Sequence, residues 1–303
     1  MMNLIVLGSI TEDLIRIPNE NDKHFIGGVP VYAASTAKAL GESIGVVSKV
    51  GTDFHLKNLK IINSLDADLN GFKIIGSTSM KFENKYDLKG RRTQRVLSVS
   101  EKISFRDIPE IYYDVHCIHL GPVFNEIDPE LINEVRNTFD FVSLDGQGFT
   151  RSLDEKTRKV ILEPWLNYEE YLPKLDVLKV DDSELKGITA TNRLKDAIEL
   201  ALKSGVKLLV VTKAHKGAII FHEKKRYDIP AIPANVIDET GAGDTFITAF
   251  LLEYLKTKDC YYSGLVAAAA ASFKISNSGP IPNYTREDIL NKLKAFLPDF
   301  EEK

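Results

Sequence analysis

Short apolar runs alternate with longer stretches of helical period along this chain. Leu4–Leu7, Ile44–Val47, Val115–Leu120, Phe141–Leu144, Val177–Val180, Leu208–Thr212 and Ala218–Phe221 read as strands. Several are apolar at nearly every position, as a parallel strand covered on both faces should be. Val31–Leu40, Pro129–Thr138, Ala190–Lys203 and Thr245–Lys256 read as the helices between them. This rhythm implies right-handed crossovers and predicts an α/β fold, a doubly wound and mostly parallel sheet flanked by helices. Tyr261, Tyr262 and Val266–Phe273 read as a packed helix, and Glu287–Phe296 as an amphipathic helix stopped by Pro298.

Two segments interrupt the rhythm. Asn19–Lys23 is a short polar insert ahead of Gly27-Gly28. Ser77–Ser100 alternates apolar and polar positions, with Met80, Phe82 and Tyr86 leading to Lys89-Gly90 and Arg91–Val99 returning, which suits a hairpin with a two-residue turn. No repeat, low-complexity tract or linker divides the chain. The expectation is one domain over residues 1–303, with a small β lid built from about 11–27 and 77–100.

Composition narrows the function by exclusion. The 39 Lys+Arg against 43 Asp+Glu give a net charge of −4, which speaks against nucleic acid or an anionic membrane as the main partner. No apolar run approaches the roughly 18 residues of a membrane-spanning helix. The N-terminus lacks the basic region and cleavage site of a signal peptide, so a cytoplasmic protein is expected. Cys117 and Cys260 are too few and too distant for a disulfide framework or a zinc site. His116 and His119 flank Cys117, but residues three apart on a strand face opposite ways and cannot share an ion. Lys89, Arg91, Arg92 and Arg95 form a basic run that reads as a solvated hairpin, or else as a contact to substrate or its new phosphate.

The chemistry concentrates in Asp238-Glu239-Thr240-Gly241-Ala242-Gly243-Asp244-Thr245-Phe246, after a strand-like Pro233–Ile237 and at the start of a helix. Gly241 and Gly243 permit a tight turn whose amides converge at the helix N-terminus, where an anion is favoured. Asp244 in the first turn would stand beside a phosphoryl group held there and can accept a proton from an incoming hydroxyl. The bland alternative is a helix N-cap after a tight turn. The third glycine of a dinucleotide fingerprint is absent, and no Gly-x-x-x-x-Gly-Lys-Ser/Thr loop occurs.

Thr240–Phe246 resembles the C-terminal signature of the ribokinase/PfkB carbohydrate kinases. Other landmarks follow in that family's order. Gly8–Asp13 resembles its first strand with a substrate-binding aspartate, here Asp13. Gly27-Gly28 and Val50-Gly51-Thr52-Asp53 resemble its N-terminal signature. Thr212-Lys213-Ala214-His215-Lys216-Gly217 resembles its nucleotide-side turn, and Asn277 with Gly279-Pro280 falls in its late nucleotide loop. The resemblance spans essentially the whole chain. It implies an ATP-dependent kinase with Mg2+, a monovalent cation being a further candidate, that phosphorylates a hydroxyl of a small sugar or polyol. In that reading Asp244 is the general base and the Gly241, Ala242 and Gly243 amides stabilise the transferring phosphoryl group. Thr212, Lys213, Gly217, Gly241, Gly243 and Asn277 bind the nucleotide. A monomer or homodimer is implied.

Departures from the family pattern are informative. Tyr32 stands where the family has an asparagine after Gly-Gly, and could stack on a sugar face or simply pack. The family's Asn-x-x-Glu reads Asp181-Asp182-Ser183-Glu184 here, with Asp181 and Glu184 expected to position magnesium through water. Ala214 replaces a glycine of the nucleotide turn. Asp145-Gly146-Gln147-Gly148-Phe149-Thr150-Arg151 resembles a stretch of the myo-inositol kinase-like branch, which makes Asp145, Gln147 and Arg151 substrate-binding candidates beside Asp13, Gly27, Gly28, Tyr32 and Asp244. A sugar or polyol needs fixed donors and acceptors, which Asp13 and Gln147 can supply, with the Gly27-Gly28 backbone close by. A nucleoside kinase of the same family and a non-catalytic sugar or nucleotide sensor remain the alternatives.

Overall fold

A computed structural model describes residues 2–88 and 92–303. The chain begins with β1 (Leu4–Leu7), β2 (Thr11–Arg16), β3 (Lys23–Gly27), α1 (Val29–Leu40), β4 (Ile44–Val50), α2 (Leu56–Asn63), β5 (Asp68–Ile74), β6 (Met80–Tyr86) and β7 (Arg92–Ser98). Then come β8 (Cys117–Leu120), α3 (Leu131–Thr138), β9 (Phe141–Asp145), α4 (Gln147–Thr150), β10 (Arg151–Leu153) and β11 (Val160–Leu162). The remainder holds α5 (Tyr168–Tyr171), β12 (Val177–Asp181), α6 (Asp182–Ile188), α7 (Leu194–Lys203), β13 (Leu208–Thr212), β14 (Ala218–His222), β15 (Lys225–Ile229), α8 (Ala242–Thr257), α9 (Cys260–Ile275) and α10 (Arg286–Phe296).

Nine strands form the large sheet in the order β15-β14-β13-β12-β9-β8-β1-β4-β5. From β13 to β5 all neighbours are parallel, and β14 and β15 add an antiparallel edge. The expected α/β class is therefore the observed one. Its continuous apolar runs have a direct cause. Leu4 and Val6 join a core with α1, α8, α9 and α10, while Ile5 and Leu7 join a second core with α3, α5, α6 and α7. Successive side chains of one strand thus enter opposite layers, and both layers are covered.

A separate four-stranded sheet has the order β3-β2-β6-β7, with β2 and β6 parallel and its other pairs antiparallel. Ile26, Met80, Phe82 and Val96 from this sheet join the first core. Its opposite face is charged. Lys81 bridges Glu12 at 3.2 Å and Asp53 at 2.8 Å, and Glu83 is held between Arg16 and Arg95. The edge strand β7 is clasped by the β10–β11 hairpin, where Val96 N donates to Arg158 O at 3.0 Å and Arg158 Nε donates to Val96 O at 3.1 Å. The expected Lys89-Gly90 turn and Arg91 lie outside the described residues.

Several boundaries differ from the sequence reading. The helix expected over Ala190–Lys203 starts at Leu194, because Ala190 adopts φ 51° and ends a preceding helix, α6. α6 itself starts at a capping box in which Asp181 Oδ1 accepts from Glu184 N and Glu184 Oε2 accepts from Asp181 N. Pro233–Ile237 is not a strand. Pro230 and Pro233 lack amide donors, and Ile237 N turns to Ile275 O at 2.7 Å instead. The helix expected from Thr245 begins three residues earlier, at Ala242. Among the described residues no helix is long and apolar enough to cross a membrane.

Candidate active site

All parallel strands of the large sheet end on one side, and the residues singled out by sequence gather there, as ligand sites do in such sheets. Gly241 caps α8 with φ 78°, and a Cβ on it would lie 2.4 Å from Tyr32 Cδ1. Only glycine meets both demands. Gly243, by contrast, is an ordinary helical residue of the first turn. The two glycines were expected to share one job in the turn, and the structure gives the positive φ to Gly241 alone. The Ala242 amide donates to Glu239 O at 3.2 Å, while the next first-turn amides of α8 have no acceptor within the helix and the dipole adds positive potential, so this end suits a phosphoryl group. Thr240 N donates to Asp238 Oδ1 at 3.0 Å, and Lys274 stands 3.5 Å from Asp238 Oδ2, which ties the turn to α9.

Asp244 lies in that first turn and is half-buried. Burial pushes its carboxyl up to about 6; Lys179 opposes this, Asp145 adds to it, and Arg151 and Lys274 also pull it down. The group still ionises near neutral pH.

On the small-sheet side, Asp13 is 8% exposed, and its Oδ1 is buried with no hydrogen-bond partner. Burial raises its carboxyl to about 7, with Thr11, Arg92 and Arg151 pulling back. Gly27 makes room here, since a Cβ on it would lie 2.9 Å from Asp13 Oδ2. Gly28 caps α1 with φ 88°, and a Cβ on it would lie 2.1 Å from Ser9 O. Tyr32 is 2% exposed, packed against Gly241 with Lys274 Nζ 5.5 Å from its ring centroid. Burial and the charges of Asp13, Asp238 and Asp244 hold its phenol well above the ordinary tyrosine range. The ring is thus within electrostatic reach of Asp13, Asp238 and Asp244.

Asp145 sits deeper than the sequence suggested. It is fully buried, with Oδ2 at 2.8 Å from Lys179 Nζ and Oδ1 accepting from Gln147 N at 3.1 Å. Both oxygens are engaged, so Asp145 supports the site from below. Gln147 is partly exposed at the start of α4. Arg151 Nη1 donates to Val123 O at 3.2 Å, leaving its charge within reach of both Asp13 and Asp244. His119 is fully buried with Nδ1 2.9 Å from Ser143 Oγ, while His116 is exposed beside Asp140, so the two histidines do not converge.

The residues expected on the nucleotide side lie at the ends of β12 and β13. Thr212 pairs with Asp181 in register, and Lys213 N donates to Gly217 O at 2.8 Å across a short loop. Gly217 has φ 79°, and a Cβ there would lie 2.0 Å from Ile229 O. Ala214 adopts φ 47°, so it keeps a glycine-like conformation at a cost of about 1 kcal/mol. Asn277 is engaged within its own loop, donating to Phe273 O at 2.8 Å and accepting from Asn283 at 2.6 Å. Its side chain organises the loop. Asp181 and Glu184 each spend one oxygen on the capping box and keep another. Among the described residues no group of three or more His, Cys, Asp or Glu could hold a metal. Two hard oxygen donors fit Mg2+ held largely by water and donor phosphates, which is how this reluctantly dehydrated ion is usually bound.

The sequence reading missed Lys179, Lys274 and Asp238. Lys179 carried a signal, a single charge inside the apolar run Val177–Val180.

A sheet of this topology, a glycine-capped helix aimed at an anion and a carboxylate in its first turn define a phosphotransferase with an alcohol group as acceptor, on a ribokinase-like fold. Residues 151–286 match the pfkB family carbohydrate kinase. It is 26% identical to the cytidine kinase of Thermococcus kodakarensis, over 88% of this chain and 95% of that one. A pyrophosphate-dependent kinase of the ribokinase family, solved with a pyrophosphate analog and myo-inositol, superposes with a TM-score of 0.82 at 25% identity, over 95% of this chain and 99% of the other. Arabidopsis thaliana ribokinase, solved with ribose and ATP, superposes with a TM-score of 0.78 at 24% identity, over 97% and 99%.

Proposed function

We propose that this protein transfers the γ-phosphoryl group of ATP to a hydroxyl of a compact sugar or polyol, myo-inositol being the type of acceptor. The observation that carries this reading is the buried, unpartnered Oδ1 of Asp13. An acceptor hydroxyl bonded to Asp13 would satisfy an oxygen that is otherwise costly to bury. A second hydroxyl of the same molecule would then meet Asp244, which takes its proton. The α8 amides hold negative charge on the transferring group. Magnesium, held through water by Asp181 and Glu184, would neutralise charge on the donor phosphates. The small sheet acts as a lid that carries Asp13 over the acceptor and excludes water.

Support for a polyol comes from the Asp145–Arg151 stretch and from the likeness to the kinase solved with myo-inositol. A nucleoside acceptor is the second reading, favoured by the relative named cytidine kinase. Steady-state kinetics on polyols, ketoses and nucleosides, each with ATP and with pyrophosphate as donor, separate the two. A nucleoside preference above about tenfold in kcat/KM, roughly 1.4 kcal/mol of transition-state binding, sinks the polyol reading. No transfer to any acceptor sinks the kinase reading.

A further inference from the structure

Lys179 occupies the middle of β12 between the apolar Leu178 and Val180, with its side chain 6% exposed and its partner Asp145 fully buried. Burying two charges costs desolvation that their attraction repays poorly, and apolar replacements of such pairs are often no less stable. Stability is therefore a weak reason for the pair, and its position suggests another. Ser143 and Asp145 on β9 and Lys179 on β12 alternate with residues of the second core, so they face the layer that contains α8. A Cβ on Gly243 would lie 2.9 Å from Lys179 Nζ and 3.4 Å from its Cε. Gly243 needs no left-handed backbone, so the close approach of a pinned ammonium is what its missing side chain provides. Negative groups surround that ammonium. Burial works against its charge, yet Asp145, Glu184 and Asp244 outweigh burial and hold its pKa above the ordinary lysine value.

We propose that Lys179 is a positioning residue for phosphoryl transfer, its ammonium fixing the Gly243–Asp244 turn and placing positive charge beneath the transferring group. The proposal rests on the kinase reading above. Lys179 reaches substrate through the turn and not by contact, and Asp145 fixes where its head lies. A residue that only neutralised Asp145 would become dispensable once Asp145 lost its charge.

The test compares native protein, Lys179→Gln and the pair Lys179→Gln/Asp145→Asn for thermal midpoint, kcat and both KM values. The single variant leaves Asp145 buried without its cation and can fail to fold; the pair leaves no lone charge and should fold near the native midpoint. Expected for the pair is a kcat loss of at least about thirtyfold, below the roughly 10²–10³ of a directly contacting donor, with both KM values within about threefold. A folded pair variant with kcat within about threefold of native overturns the proposal, leaving Lys179 as a counter-ion only. A pair variant that cannot fold overturns it too, since the fold alone would then explain both residues. Native protein inactive toward every acceptor removes the kinase reading itself, a result distinct from either.

Discussion

The large sheet buries Lys179 and Asp145 as a closed pair, whereas the small sheet spreads its charges over an open face. Lys179 and Asp145 are 6% and 0% exposed, while Arg16 and Arg95, which flank the buried Glu83, are 46% and 42% exposed. Charge in the first setting is expensive and geometrically fixed. In the second the arginine heads stay in water, which screens the pairing and holds its geometry less firmly. The same division runs through the two carboxylates of the site. Asp244 rises from the large sheet's helical layer with Lys179 beneath it, and Asp13 comes from β2 with an oxygen still unpaired. Rigid groups suit chemistry and movable groups suit recognition, so the body should govern kcat and the small sheet should govern acceptor affinity.

Asp244→Asn should break the body side most severely. Asparagine keeps the shape and the helix-terminal hydrogen bonding but cannot take the proton. Loss of a general base typically costs about 10²–10⁴ in rate, or roughly 3–5 kcal/mol of barrier. Donor affinity and thermal midpoint should hold. Kinetics, ATP titration and a melting curve on one preparation check this. A loss well under the hundredfold floor makes Asp244 structural and erases the contrast between the sheets.

Legibility in the sequence followed the same line. Leu4–Leu7 and Leu208–Thr212 were readable as strands because both faces are covered, so the apolar signal is continuous. The glycine turn and Asp244 were readable because they are adjacent in the chain. Thr11–Arg16 and Lys23–Gly27 were placed only loosely, in a β lid over about 11–27 without separate strand bounds, since the residues exposed there are mostly charged. Asp145 was read as a substrate contact from its neighbours in sequence, yet its partner Lys179 is 34 residues away and meets it only through strand pairing. Tertiary charge pairing of that kind leaves no local pattern. Ala190 and Ala214 hide their positive φ for a similar reason, since nothing in alanine announces it.

Asp13→Asn should sharpen the small-sheet side. A hydrogen bond to a charged group is worth about 1.5–3 kcal/mol, so acceptor KM should rise roughly ten- to hundredfold while kcat and donor KM change less. pH dependence supplies a second readout. Both carboxyls are raised, Asp13 to about 7 and Asp244 to about 6, so activity is lost as pH falls and each group takes up a proton. Native kcat/KM should therefore bend downward twice as pH falls, near 7 and again near 6. In Asp13→Asn one bend should remain, near 6. A variant that keeps the upper bend would assign it to another group and weaken the recognition role of Asp13.

The smallest expected effect concerns how the small sheet is held. Arg158 has φ 58°, and its backbone carbonyl and Nε both bond to Val96 on β7. Arg158→Ala keeps the backbone bond and removes the side-chain one, a loss of about 0.5–1.5 kcal/mol felt only locally. Amides of β6 and β7 should then exchange a few times faster, because local opening needs less free energy there than global unfolding does. Body strands such as β1 and β9, packed on both faces, should exchange as in the native protein. Acceptor should slow exchange in β6 and β7 of native protein, and should do so less completely in the variant if the clasp helps the sheet settle over the site. Acceptor KM should rise by no more than about threefold, since a side-chain bond on the partly exposed edge contributes little. The informative result is where protection changes, and hydrogen exchange with and without acceptor reads it directly. Equal protection of β6 and β7 in the free and bound states would mean that the small sheet is a fixed wall. Asp13 would then be as rigid as Asp244, and the division of labour between the two sheets would have to rest on chemistry alone.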